Sequence, residues 1–410
     1  MEDDRIEESE PVEVGAFSMP ALASLARGAL QAESIPCYLE NEHMVRLRGL
    51  VGMRLMVPPE YAERAREVLD ALPGQSSVPS EPWDGNIAHR FVEANGIRMH
   101  CAEAGVGPLV LLCHGFPESW YSWRHQLPAL AEQGYHVVAP DLRGYGQTDR
   151  PQALEAYDIF QLVGDLVGLV NALDEAPAVI VGHDWGAWIA PYAAVLRPDL
   201  FRAVGLLSVP FVPRRRVSQS QWEQEKFPGK VFYQAVLRSP MAEQVLSANP
   251  RAVLQTTFWG LSGDASPQER WQPIQEPAAA GAMPPQRTDL PPWLTQEDLD
   301  YFAGEFQRSG FTGGLNYYRN MDRNWALTPF LDGAKLLQRT LFIGGERDPV
   351  LDFLGRAYEA LESNVPNLWK KERIQGAGHW IQQERPDEVN ELLAAFLREV
   401  EAGERAAAGS

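Results

Sequence analysis

Asp184 stands in the segment Gly182-His183-Asp184-Trp185-Gly186-Ala187, directly after the apolar run 178–181. Gly-x-nucleophile-x-Gly between a strand and a helix is the pattern of a nucleophile elbow. Its requirement is steric. The nucleophile sits on a strained turn, so the positions two before and two after it must lack bulk. Gly182, Gly186 and Ala187 meet that need. The nucleophile position holds a carboxylate, and no Gly-x-Ser-x-Gly occurs in the chain, which disfavours a serine esterase. A carboxylate attacks saturated carbon and forms an alkyl ester. The plainer alternative is a Gly-flanked turn carrying a surface aspartate.

Three further segments could complete such a site. His114-Gly115-Phe116-Pro117-Glu118-Ser119-Trp120 follows the run 109–113. A glycine-containing loop there can aim a backbone N–H at a developing oxyanion, with Phe116 N–H as first donor and Trp185 N–H as second. His114 and His183 read as structural. Gly344-Gly345-Glu346-Arg347-Asp348-Pro349 offers Asp348 as the acid that orients a histidine, with Glu346 and Asp352 as competitors. Gly376-Ala377-Gly378-His379-Trp380 holds the only histidine after position 183. The order is nucleophile, acid, histidine, and flanking glycines favour an exposed loop over a core position for His379.

These residues need a scaffold. The candidate strands 109–113, 136–139, 178–181, 203–209 and 340–343 are short, continuous apolar runs separated by helical stretches. That pattern predicts a mostly parallel sheet covered on both faces. Segments 89–94 and 97–103 form a hairpin joined at Asn95-Gly96, a type I′ signal. From about 210 to 326 strand signals fade and Trp, Pro and Gln accumulate, which predicts a helical insertion between two halves of the sheet domain, 87–209 and 327–402. Within it, Thr295 and Asp298 form a capping box for a helix ending near Gly310. Residues 11–73 read as a separate small α+β unit of ferredoxin-like kind, with strands at 12–17, 35–39 and 53–57, a weaker one at 43–47, and two helices. Residues 1–10 read as an acidic disordered tail, 74–86 as a Gly/Ser/Pro-rich linker and 403–410 as a disordered tail.

Composition limits the function. Of 410 residues, 36 are Lys or Arg and 55 are Asp or Glu, a net charge of −19. Phosphate backbones and anionic lipid would repel such a chain, so nucleic-acid binding is disfavoured. With 45% hydrophobic and 22% charged residues it is a globular composition. Cys37, Cys101 and Cys113 are too few and too irregularly spaced for a disulfide scaffold or a zinc module. An acidic start and no apolar run long enough to span a bilayer predict a cytoplasmic protein without membrane insertion.

The segments 114–120, 141–149 (DLRGYGQTD), 182–187 and 376–380 together resemble the α/β-hydrolase-fold epoxide hydrolases, over roughly residues 87–402. The insertion adds Gly314-Leu315-Asn316-Tyr317-Tyr318-Arg319-Asn320, similar to the cap segment whose tyrosine before Arg-Asn polarises the epoxide oxygen. The resemblance therefore implies Tyr318 in that role, and Tyr233, in Val231-Phe232-Tyr233-Gln234, as the second cap tyrosine. It implies an α/β-hydrolase fold with an inserted helical cap, the set Asp184, Asp348 and His379, and Pro117 and Tyr317 at the substrate. It implies an epoxide and water as reactants, neither metal nor organic cofactor, and a role in detoxification. Haloalkane dehalogenases share the Asp-Asp-His set, and a non-catalytic ligand sensor on the same fold is a further alternative. A homodimer is left open. Residues 11–73 resemble the small prokaryotic signal-transducing domains, through Ile35-Pro36-Cys37 and Leu55-Met56-Val57-Pro58, which implies a bacterial source and a regulatory or assembly role with an unknown partner.

Overall fold

The apolar runs assemble into one eight-stranded sheet. A computed structural model of the chain describes residues 11–17, 20–40, 53–70, 85–277 and 289–408. The chain divides into two units between residues 81 and 82. In the larger unit the strands are β1 (Ala88–Ala94), β2 (Ile97–Ala104), β3 (Leu109–Cys113), β4 (His136–Pro140), β5 (Ala178–His183), β6 (Phe201–Leu207), β7 (Arg339–Gly345) and β8 (Leu368–Ile374). Their order across the sheet is β8-β7-β6-β5-β3-β4-β2-β1. Strands β3 to β8 pair in parallel, and the hairpin β1–β2 joins antiparallel at one edge. Asn95 and Gly96 both have positive φ, 49° and 74°, as a type I′ turn requires.

The central strands are buried on both faces, and their side chains sort with period two. Leu109, Leu111 and Cys113 join one apolar cluster with the helices Ile159–Leu173 and Trp185–Leu196. Val110 and Leu112 join another with Gln126–Ala131 and Pro386–Ala408. This three-layer arrangement explains the continuous apolar runs. Strand β8 escaped the sequence reading. Its sequence is Leu-Trp-Lys-Lys-Glu-Arg-Ile, because an edge strand is kept charged against further pairing.

The insertion is helical as expected. It contributes Gln219–Lys226, Tyr233–Arg238, Pro240–Ala248, Pro250–Leu261, Gln296–Ser309, Thr312–Arg319 and Met321–Leu327. A two-residue ribbon, Val231–Phe232 with Ile274–Gln275, is an unexpected addition. The capping box is present: Asp298 N–H donates to Thr295 Oγ1 at 3.1 Å, and Thr295 N–H to Asp298 Oδ2 at 2.9 Å. The final helix runs to Ala408, so residues 403–408, expected to be a disordered tail, are helical.

In the smaller unit Val12–Phe17, Met53–Val57 and Tyr38–Glu40 form an antiparallel sheet in that order. The helices Pro20–Ala32 and Ala62–Asp70 accompany it, and Leu30, Ile35, Leu55, Val57, Ala65 and Leu69 form its core. The strand expected at 43–47, the tail 1–10 and the linker up to residue 84 lie outside the described residues.

Candidate active site

Asp184 directly follows β5 and takes the N-cap position of the helix Trp185–Leu196 with φ 50° and ψ −112°. That conformation is costly for a residue with a Cβ and needs support from its surroundings. The close approach of neighbouring backbone explains the glycines. A Cβ on Gly182 would lie 2.2 Å from the Gly186 carbonyl, and one on Gly186 would lie 2.0 Å from the Cys113 carbonyl oxygen. The turn therefore lifts Asp184 from the sheet while packing tightly beneath it. Phe116 N–H donates to Asp184 Oδ1 at 2.8 Å. Trp185 N–H is the first amide of its helix, where no intrahelical acceptor exists.

His379 Nε2 lies 3.7 Å from Asp184 Oδ2. Its Nδ1 lies 3.1 Å from Asp348 Oδ2. Asp348 is wholly buried and also accepts from Val350 N–H at 2.8 Å. Of the three candidate acids it is the one that reaches the histidine. Glu346 accepts from Gly376 N–H instead, and Asp352 lies 3.8 Å from Arg373. His379 is itself buried, not exposed as its glycine flanks suggested. Burial would lower its pKa, but the Asp348 and Asp184 carboxylates outweigh that and raise it to about 10.

Two carboxylates that the sequence reading left unassigned hold this arrangement. Glu118 is fully buried and accepts from Gly115 N–H at 2.9 Å, with His183 Nδ1 at 2.6 Å. Burial pushes its pKa up, yet the His183 imidazole prevails and holds it at about 2. His183 Nε2 in turn donates to the His379 carbonyl at 2.8 Å, and Ser208 Oγ donates to the same oxygen at 2.7 Å. Glu384 accepts from Gly378 and Trp380 N–H, at 2.8 and 3.0 Å, on either side of His379. It also accepts from Gly263 N–H of the cap at 2.9 Å. Glu118 stands in a segment already singled out, and a carboxylate three residues after Gly115 was a usable signal. Nothing local marks Glu384.

Asp184, Phe116, Pro117, Tyr233, Tyr318 and His379 line one cavity of about 1070 Å³, most of whose remaining wall comes from the cap. The rings of Tyr233 and Tyr318 are 6.4 Å apart. Burial and the Asp184 charge raise both phenols' pKa values. Both are therefore neutral donors at ordinary pH. Trp185 packs edge-on against Tyr318 at 5.0 Å. Tyr317 does not belong with them. It is buried, its hydroxyl donates to the Arg143 carbonyl at 2.9 Å, and it is absent from the cavity wall. One residue along a helix is a rotation of about 100°, which turns it into the core. The expectation that Tyr317 meets substrate is corrected accordingly. Among the described residues no group of three His, Cys, Asp or Glu could hold a metal ion, and no helix is long and apolar enough to cross a membrane.

The profile of a family described as alpha/beta hydrolase fold matches residues 108–386, and that of a family described as prokaryotic signal transducing proteins matches residues 12–72. Epoxide hydrolase A of Mycobacterium tuberculosis is 45% identical over 324 residues, covering 77% of this chain and 99% of that protein. Among solved structures, an epoxide hydrolase from an endophytic Streptomyces superposes with a TM-score of 0.74 at 45% identity, covering 78% of this chain and 97% of its own. Epoxide Hydrolase A from Mycobacterium thermoresistibile gives 0.71 at 44% identity, over 76% and 98%. With a strained, glycine-flanked turn at Asp184, a helical cap and relatives of this likeness over nearly their whole length, the chain belongs to the epoxide hydrolases of the α/β-hydrolase fold.

Proposed function

We propose that the protein converts epoxides to vicinal diols through a covalent ester on Asp184. The observation that carries this reading is the sharing of one cavity by the Asp184 carboxylate and the Tyr233 and Tyr318 phenols. An epoxide is strained, but its oxygen leaves poorly unless it receives a hydrogen bond or a proton. The two phenols donate to that oxygen. Asp184 attacks a ring carbon, the C–O bond breaks, and the opened oxygen takes a proton from a tyrosine. The product is a hydroxyalkyl ester.

The second half-reaction is hydrolysis of that ester. Esterification removes the Asp184 charge, one of the two that hold His379 protonated. The imidazole then releases its proton, which replaces the one given by the tyrosine, and acts as general base. It takes a proton from water, and the water oxygen attacks the ester carbonyl. Phe116 and Trp185 N–H groups stabilise the tetrahedral oxyanion, a contribution of about 2.7–4 kcal/mol for each such donor. Collapse frees the diol as His379 gives its proton to the leaving oxygen, and the carboxylic acid left on Asp184 passes its own proton to His379, which restores the carboxylate and the imidazolium.

The test is a single turnover of styrene oxide in water labelled with heavy oxygen, with enzyme in excess. The first diol is expected to carry no label, and Asp184 to gain one labelled oxygen. Full label in the first diol would mean direct attack by water on carbon and would overturn the proposal.

A further inference from the structure

Tyr233 is hydrogen-bonded through its neighbour Gln234 to a buried polar chain on the facing helix. Gln234 Nε2 donates to the Tyr233 hydroxyl at 3.1 Å. Gln219 Nε2 donates to Gln234 Oε1 at 2.8 Å and to Glu223 Oε1 at 3.0 Å. Arg215 Nη1 donates to Gln219 Oε1. Gln219 and Glu223 are buried, and Arg215 is half-buried with its guanidinium 4.0 Å over the Trp222 ring. Glu223 is held in turn by Arg238 Nη1 at 2.9 Å, so 219 and 223 on Gln219–Lys226 meet 234 and 238 on Tyr233–Arg238.

The two ends of this chain fix its direction. A guanidinium can only donate and a carboxylate can only accept. Gln219, between Arg215 and Glu223, has one satisfactory amide orientation: oxygen to Arg215, nitrogen to Glu223. Its second N–H then reaches Gln234, whose carbonyl must face it. Gln234 is left presenting N–H to the phenol. A phenol oxygen that accepts from Gln234 sends its single proton elsewhere, and Tyr233 lines the cavity that holds Asp184. We infer that Arg215, Glu223, Gln219 and Gln234 form a directional hydrogen-bond relay that commits the Tyr233 hydroxyl to donating into the cavity. They are positioning residues for ring opening, and the inference rests on the reading above in which Tyr233 donates to the epoxide oxygen. Aligned bonds of this kind polarise one another. In agreement, the Gln234 bond lowers the Tyr233 pKa against the rise from burial and the Asp184 charge. The second cap phenol has a different neighbour: the Trp185 indole lies edge-on to Tyr318 at 5.0 Å, and a bond from its side chain lowers the Tyr318 pKa against the rise from burial.

Gln234→Glu tests the relay. It keeps an acceptor toward Gln219 but turns an acceptor toward Tyr233, which then donates to it and not to substrate. The single-turnover alkylation rate with styrene oxide should fall about 10–100-fold, to the level of Tyr233→Phe. The loss should follow ionisation of the new carboxyl and add a limb to the pH profile. Gln219→Met, which adds no charge, should lose less, and should lose nothing further in a Tyr233→Phe background. If both folded variants alkylate at the wild-type rate without a new limb, while Tyr233→Phe is slow, the relay is wrong and the role of Tyr233 stands. If Tyr233→Phe is as fast as wild type, that role fails instead. The relay is then judged on the Tyr233 ¹³Cζ chemical shift at neutral pH, which reports the hydrogen bonds of the phenol and which Gln219→Met should move; an unmoved shift would overturn it.

Discussion

Asp184 Oδ2 lies 3.7 Å from His379 Nε2, so the carboxylate and the imidazole to which the proposed mechanism gives the roles of nucleophile and base are electrostatic partners before any substrate arrives. Asp348 holds the other ring nitrogen at 3.1 Å. The two carboxylates raise the imidazole pKa to about 10, so the ring rests as a cation at neutral pH. A cation cannot accept a proton from water. The proposed mechanism resolves this, because its first step cancels the Asp184 charge and leaves Asp348 alone to orient the ring. The histidine becomes a base when there is an ester to hydrolyse.

Replacing His379 should separate the two proposed half-reactions. His379→Gln leaves Asp184, Tyr233 and Tyr318 in place, so alkylation should continue. Ester hydrolysis should slow by at least about 10²-fold, the usual contribution of a positioned general base. An intact-mass increase of one styrene oxide should accumulate and map to the peptide containing Asp184. A variant that turns over without any adduct would separate His379 from ester hydrolysis.

In the proposed mechanism the phenols act on the other half-reaction. Tyr318→Phe should lower the alkylation rate about 10–100-fold, as expected for loss of one strong hydrogen bond to a developing alkoxide. Tyr233→Phe should cost a comparable or smaller factor, and the double variant more than either. Ester hydrolysis, followed separately after mixing, should change little. Stopped-flow quenching of tryptophan fluorescence gives both rates, since Trp185 packs on Tyr318. Wild-type alkylation in both single variants would remove the tyrosines from the mechanism.

The elements that position the chemistry were legible where the signal is local. Apolar runs gave the parallel strands, Asn95-Gly96 gave the hairpin, and the glycines around Asp184 gave the elbow. What escaped depends on partners far along the chain. Strand β8 is defined by pairing with β7 and carries the charges of an edge. Glu118 meets His183 across 65 positions, and Glu384 meets Gly263 across 121. Gln219 is an ordinary helical glutamine until Arg215, Glu223 and Gln234 surround it. Tyr317 and Tyr318 are adjacent and chemically identical, and the helix rotation alone sends one to the cavity and the other to the core.

Glu384 provides the last prediction. Its carboxylate ties Gly378 and Trp380, the neighbours of His379, to Gly263 in the cap. Burial raises its pKa from 4.5 to about 7, although the three backbone N–H donors pull the other way. A carboxyl whose folded pKa is raised stabilises the fold below its unfolded value, and that contribution is lost as pH rises through the folded value. Wild type should therefore lose stability from this group between about pH 4.5 and 7. Glu384→Gln has no proton to lose there. It turns an amide N–H toward at least one of the three donors, a pH-independent cost of about 1–3 kcal/mol. The variant should be the less stable protein at pH 5, and the gap should narrow toward pH 8 by as much as roughly 3 kcal/mol. Urea midpoints at the two pH values measure this. Ester hydrolysis should slow more than alkylation, because the loosened backbone carries His379 and not Asp184. Parallel stability curves for the two proteins would show that Glu384 is ionised throughout and that its three backbone donors outweigh its burial.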